Sequence, residues 1–137
     1  MNGVSDTVIA NNTITNAITA GIGAYHCTNW HGNTVSGNVV SQSESAVDIF
    51  AYFDPICAQL PNPPSTAAFS RNTVSGNILR RPIENWPGIF ISFSPGDVSG
   101  NVIRGNDLGS QGIRVFPLEA FTNGGGNICG TQDNFHC

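Results

Sequence analysis

Apolar residues in this chain keep fixed distances from asparagine rather than helical spacing. In Asn33-Thr-Val-Ser-Gly-Asn38-Val-Val40, Asn72-Thr-Val-Ser-Gly-Asn77-Ile-Leu79 and Asp97-Val-Ser-Gly-Asn101-Val-Ile103, one apolar residue stands three before the last Asn and another two after it. Looser copies flank them at Ile9-Ala-Asn-Asn12-Thr-Ile14 and Gly124-Gly-Gly-Asn127-Ile-Cys129. The anchors Asn12, Asn38, Asn77, Asn101 and Asn127 are separated by 26, 39, 24 and 26 residues. The long interval is one period plus the Pro-rich segment 54–66, whose prolines cannot donate to a ladder and must leave the sheet. A short alternating strand begins after each anchor at Gly21-Ile22, Ala46-Val47, Gly88-Ile89 and Gly112-Ile113. Each repeat therefore reads strand, Asn turn, strand, variable loop, strand.

A repeat of this length with three strands predicts one coil of a solenoid. The expected fold is all-β, a right-handed parallel β-helix of about five coils. Turn positions favour Gly and Asn because both tolerate positive φ. An Asn pointing inward at the same turn of every coil can donate to the next Asn and accept from the one before. Such an internal ladder spares buried polar groups a cost of about 1–3 kcal/mol each. The inward stacks are expected to hold Ile9, Val35, Val74 and Val98, then Ile14, Val40, Leu79 and Ile103. A third stack holds Ile22/Ala24, Val47/Ile49, Ile89/Ile91 and Ile113/Val115. The residue after each anchor points out, so Thr13, Val39, Ile78, Val102 and Ile128 would form a mostly apolar outer stripe, the mark of an interface. A β-sandwich also uses many short strands, but it has no reason to repeat an Asn frame.

Composition fits one domain over 1–137, with a loop insertion at 54–66 and a C-terminal cap at 129–137. Charged residues make up 10% of the 137, the net charge is −4, and there is no lysine. A phosphate-tracking surface needs clustered cations; the five arginines are spread out, so no nucleic-acid partner is expected. No apolar run reaches the roughly 18 residues of a membrane span. Met1-Asn2-Gly3 offers no basic start and no apolar stretch, so no signal peptide is expected here. The chain reads as a mature form, a fragment, or a protein exported by another route. Four cysteines in a polar, Lys-free chain favour disulfides and an extracellular or periplasmic location. Cys129 and Cys137 are close enough to tie down the C-terminus, which leaves Cys27 and Cys57 to pair; the alternative is four free thiols. There is no CxxC, and His26, His31 and His136 lack ligand spacing, so no metal site is expected.

The Asn-Thr-Val-Ser-Gly-Asn and Gly-Ile blocks resemble the parallel β-helix repeats of the pectate-lyase-like superfamily, over about residues 4 to 129. That superfamily includes polysaccharide lyases, glycoside hydrolases, alginate epimerases, periplasmic copper-maturation proteins and phage tailspikes. The resemblance speaks to fold, since the repeat is structural. Asp54-Pro55 begins like an epimerase motif, but the His does not follow, and that role is not carried over. Relatives have more coils and an N-terminal capping helix, so the first coil here is expected to lack a cover. An open edge invites another strand.

In the superfamily, substrate lies along the strand after the variable loop. On the matching strands the outward rows are Gly23, Asp48, Phe90, Arg114 and Tyr25, Phe50, Ser92, Phe116. The preceding loop Arg80-Arg81-Pro82-Ile83-Glu84-Asn85-Trp86-Pro87 would overhang them. Tyr25, Phe50, Trp86, Phe90 and Phe116 are candidates for stacking on sugar rings. Asp48 and Glu84 are the candidate carboxylate pair of a glycoside hydrolase. Arg81 or Arg114 could neutralise charge in a lyase. No cofactor is expected; acidic relatives use calcium, yet no three acids share a face. Two functions follow. One is a secreted protein or fragment that binds or processes polysaccharide along one solenoid face. The other is a non-catalytic module that self-associates through its open edge or apolar stripe.

Overall fold

The structure is a computed structural model that describes residues 4–25, 29–52, 67–83, 85–94, 96–130 and 134–137. Its short strands are rich in Val, Ile and Thr, which suit a pleated, half-buried wall. Every strand pairing among the described residues is parallel, and each joins one coil to the next. This is a parallel β-helix, as the Asn frame predicts.

The first coil holds β1 (Val4–Ser5), β2 (Val8–Ala10), β3 (Thr13–Thr15) and β4 (Ala20–Tyr25). The second holds β5 (Asn29–His31), β6 (Thr34–Ser36), β7 (Val39–Ser41) and β8 (Ser45–Tyr52). The third holds β9 (Ala67–Ser70), β10 (Thr73–Ser75), β11 (Ile78–Arg80) and β12 (Ile89–Ser94). The fourth holds β13 (Gly96–Ser99), β14 (Asn101–Arg104) and β15 (Ile113–Phe116). A shortened fifth turn runs through a 3-10 turn at Leu118–Ala120 and β16 (Phe121–Asn123). The walls are β1-β5-β9-β13, β2-β6-β10-β14-β16, β3-β7-β11 and β4-β8-β12-β15, called sheets A to D.

The first three coils thus carry four β-segments each, not three, and in the fourth the sheet C segment shrinks to a single bridge at Asp107. The difference follows from the turn chemistry. A single left-handed residue turns the chain from sheet A to sheet B at Asp6, Gly32, Arg71 and Gly100. Another turns it from B to C at Asn11, Gly37, Gly76 and Gly105. The next residue points in at both corners, so there are two ladders. One runs Asn12, Asn38, Asn77, Asn106, Asn127, each Nδ2 donating to the next Oδ1 at 2.9, 2.9, 3.0 and 3.0 Å. The other runs Asn33, Asn72, Asn101 at 3.1 Å per step.

Asn101 therefore belongs to the second ladder, and Asn106 takes the place expected for it beside Asn77. The expected stacks shift accordingly. Ile103 lies in register with Val74, not with Leu79. Val98 stacks on Phe69 in sheet A, which pairs in turn with Trp30. That fourth stack, led by the buried Trp30 and Phe69, was not anticipated. The third stack stands as expected: Ile22, Val47, Ile89 and Ile113 are in register. The outer stripe is corrected too. Thr13, Val39 and Ile78 stack, but Asp107 follows and Ile128 comes after it. Val102 sits on sheet B between Thr73 and Thr122. An ion pair from Arg80 to Asp107 at 2.8 Å crosses the stripe.

The ends differ. The inward residues Val4, Ile9, Ile14 and Ala24 of the first coil are only half-buried. At the other end Cys129 and Cys137 form the expected disulfide, with Cα atoms 6.0 Å apart. Phe135 is buried under Ile113, whose carbonyl accepts its N–H at 3.2 Å. Cys27, Cys57 and the 54–66 segment lie outside the described residues.

Candidate functional site

Sheet D carries the longest strands, and its pairing sets the outward rows. Gly23, Asp48, Phe90 and Arg114 stand in one register, and Tyr25, Phe50, Ser92 and Phe116 in the next. Adjacent coils lie about 4.8 Å apart, so both rows are continuous. The segment before β12 is held above the C-to-D corner. Ile83 N–H donates to Ser43 O at 3.2 Å, and the Ser45 hydroxyl donates to Pro87 O. This delivers Trp86 to the face, where its ring meets Phe90 edge-on at 5.7 Å.

The surface these residues present is uneven. Trp86 is 40% exposed and Phe116 45%, while Phe90 and Arg114 are half-buried. Asp48 is 3% exposed, so its carboxylate is enclosed rather than displayed. Arg81 does not sit on these rows. It occupies the left-handed corner after sheet C, at φ 51°, and lines a hollow with Val39, Ser41, Gln42 and Arg80. Glu84 and the side chains of Tyr25 and Phe50 lie outside the described residues. The structure therefore brings together Asp48, Trp86, Phe90, Arg114 and Phe116, and sets Arg81 apart on a corner.

Two polar groups elsewhere escaped the sequence reading. Asp107 has its carboxyl pulled below the usual range by the hydrogen bond from Arg80, which outweighs the opposing effect of burial, with a smaller further pull from Gly109 N–H. On sheet A, His31 lies over Ser70, with Arg71 beside both. The available signal was positional. Ser5, His31, Ser70 and Ser99 each stand two residues before an A-to-B ladder position, so they had to form one outward row.

An all-parallel wall of short strands with stacked inward asparagines and an aromatic outer face defines the class: a parallel β-helix with a candidate ligand face on its long strands. The chain belongs to the family described as "Protein of unknown function (DUF1565)", whose profile matches residues 1–134. No curated protein and no solved structure matches it. Among the described residues no three His, Cys, Asp or Glu side chains gather as a metal site, and no helix is long and apolar enough to cross a membrane.

Proposed function

We propose that this protein binds polysaccharide along the outward face of sheet D. The observation that carries the reading is the exposed pair Trp86 and Phe116 on either side of half-buried Phe90 and Arg114. Aromatic faces stack on the apolar faces of sugar rings, and a guanidinium pairs with a uronate carboxylate. These groups lie on two adjacent coils, so a linear chain laid along the solenoid axis can meet them in turn. Asp48 is enclosed beside Phe90 rather than displayed to a ligand, so the reading is one of binding and not of cleavage. The cysteine pairing at the C-terminus supports an extracellular or periplasmic setting for such a ligand.

The test is calorimetric titration with uronate oligosaccharides. Trp86→Ala and Phe116→Ala should each weaken binding roughly tenfold, the loss of one stacking contact plus its burial. Arg114→Gln should weaken uronate binding more than binding of neutral oligosaccharides. Unchanged affinity in both aromatic variants would reject this face.

A second reading, assembly through the first coil, has its own support. β1, β2, β3 and β4 are each terminal in their sheets. A hollow lined by Val4, Thr7, Ile9, Ile22 and Trp30 opens at that end, and Trp30 Nε1 is buried with no hydrogen-bond partner among the described residues. One more coil would cover this hollow. Light scattering across concentration separates the readings, since a strict monomer at high concentration excludes self-association. The interrupted stripe of sheet C lends assembly no support.

A further inference from the structure

The sheet D face makes no use of the adjacent cations Arg80 and Arg81, two of the five arginines in the chain. Both stand on the outer surface of sheet C and its corner. Val40 is fully buried, so its neighbours Val39 and Ser41 point out. Ser41 is in register with Arg80, and Val39 with Ile78. The next residue along each coil turns the corner, Gln42 in the second and Arg81 in the third. Gln42 N–H donates to Arg80 O at 3.1 Å and ties the two coils together there. Val39, Ser41, Gln42, Arg80 and Arg81 surround one hollow of about 380 Å³, within the size range of small-molecule sites.

The lining of this hollow selects for negative charge. Four of its five side chains can donate hydrogen bonds, and among the described residues no carboxylate lines it. Arg80 is steadied from outside by Asp107, whose Oδ2 accepts from Nη1 at 2.8 Å while its Oδ1 accepts from Gly109 N–H at 3.3 Å. That bond occupies one guanidinium nitrogen and leaves the others. Arg81, the Gln42 amide and the Ser41 hydroxyl have no hydrogen-bond or ionic partner among the described residues. Asp107 offsets one of the two cations, so the hollow keeps one net positive charge. Glu44, two residues beyond Gln42, does not line it. Val39, half-buried, adds an apolar wall beside the donors. A neutral ligand leaves the Arg81 charge unanswered, and a bare inorganic ion leaves Val39 uncovered.

We infer that this hollow binds an organic oxyanion, a carboxylate or sulfate ester on a compact carbon skeleton, with Arg81 as its main cation and Ser41, Gln42 and Arg80 as further donors. Arginine meets such groups with a planar fork of N–H donors, and the carbon skeleton covers Val39. Asp107 competes with the ligand for Arg80, so its charge holds the affinity down. The site lies on a different face from Phe116 and does not depend on the reading of sheet D.

The experiment is heteronuclear NMR of the backbone amides and the Gln42 side-chain amide during titration with sodium glucuronate, glucose sulfate, inorganic sulfate and neutral methyl glucoside. Arg81→Gln removes the charge and spares the corner, since Gln42 already holds the same corner one coil earlier at φ 55°. The two anionic sugars should move the signals of Ser41, Gln42, Arg80 and Arg81, and the tighter of them names the preferred acid group. Methyl glucoside should leave these signals in place, and inorganic sulfate should bind less tightly than glucose sulfate. Arg81→Gln should weaken binding roughly tenfold, the loss of one charge-assisted contact. Asp107→Asn should tighten it about threefold, the scale of a surface charge pair, because Arg80 is released to the ligand. A purely structural role for the two arginines gives no such gain. Phe116→Ala should change nothing here. Signals that stay still with both anionic sugars, that move as far with methyl glucoside, or that respond unchanged in Arg81→Gln overturn the site. Inorganic sulfate bound as tightly as glucose sulfate overturns the organic ligand, and no gain in Asp107→Asn overturns the part given to Arg80.

Discussion

A ladder asparagine in the middle of the stack uses every hydrogen-bonding position it has. Asn77 Oδ1 accepts from Asn38 N–H at 3.2 Å and Asn38 Nδ2 at 2.9 Å; its Nδ2 donates to Val35 O and Asn106 Oδ1, both at 3.0 Å. Replacing it with Ala breaks all four bonds, although Asn106 Oδ1 keeps the Asn77 N–H and Asn38 Nδ2 keeps Ile9 O, both at 2.9 Å; each buried group left unmet costs about 1–3 kcal/mol. Asn77→Ala should therefore lose about 3–5 kcal/mol in urea denaturation, a large share of a typical domain's stability. Asn12 sits exposed at the end of the same ladder, and Asn38 Oδ1 keeps its bond from Asn12 N–H at 3.0 Å without that side chain. Asn12→Ala should cost about 1 kcal/mol or less; equal losses at the two positions would deny the ladder its role. The Arg80–Asp107 pair behaves differently. Its carboxyl is depressed in the folded state, so its contribution is present above the unfolded value of 3.8 and fades as pH falls through the lower folded value. Both side chains are substantially exposed, so Asp107→Asn should change stability at pH 7 by no more than about 0.5 kcal/mol. The variant should also remove a small part of the acid sensitivity below about pH 4, read as urea midpoints at pH 7 and pH 3.

At the scale of the strand and its corners, one short phrase is used twice per coil. Asn33 and Asn38, Asn72 and Asn77, and Asn101 and Asn106 each bracket a sheet B strand in the frame Asn, outward, inward, outward, left-handed residue, Asn. This explains how much of the fold was legible. The period, the inward stack of sheet D and the Asn ladder were readable, because apolar residues on one face must repeat. The register of the fourth coil was not, because Val98-Ser-Gly-Asn101 at the A-to-B corner spells the same phrase as Val35-Ser-Gly-Asn38 at the B-to-C corner. The pairing of Asn101 with a second Asn five residues on was the available cue. Trp30 hid for another reason: a single bulky residue between polar neighbours carries no period. Of the candidate site, the outward rows were legible from alternation alone, whereas the enclosure of Asp48 depends on what packs across the strand. The same corners give a prediction. Gly76 holds φ 62°, yet a Cβ there would meet nothing nearer than Gly37 N at 3.8 Å, so Gly76→Ala should cost only the left-handed strain of about 1–2 kcal/mol. Gly21 has no such φ, but a Cβ there would collide with Val40 Cγ2, part of a side chain locked in the core. Gly21→Ala should cost about 1–3 kcal/mol by overpacking, and Val40→Ala in the same chain should recover part of that loss, which Val40→Ala cannot do for Gly76→Ala.

For the whole molecule, a solenoid's stability is a sum of coils and their contacts with immediate neighbours, so its two ends need not melt together. Here they are built unequally. The first coil leaves Val4, Ile9 and Ile14 half-buried and Val8 69% exposed, and among the described residues its four strands are terminal in their sheets. The last turn is closed. Asn101 Nδ2 donates to Ala120 O at 3.4 Å, Asn127 Nδ2 to Asn123 Oδ1 at 3.1 Å, and the Cys129–Cys137 bridge holds the tail over Ile113. Loss of structure should start at the first coil. Hydrogen exchange should find the amides of β2 and β3 least protected and those of β7, β10 and β11 most protected, with the last turn in between. The double variant Cys129→Ser, Cys137→Ser removes a short loop closure worth about 2–3 kcal/mol. Because coupling reaches only adjacent coils, it should speed exchange around β16 and β15 and leave β2 and β3 as they were. Protection that falls evenly from end to end in that variant would mean the chain opens as one cooperative block, and the coil-by-coil account of its stability would have to be abandoned.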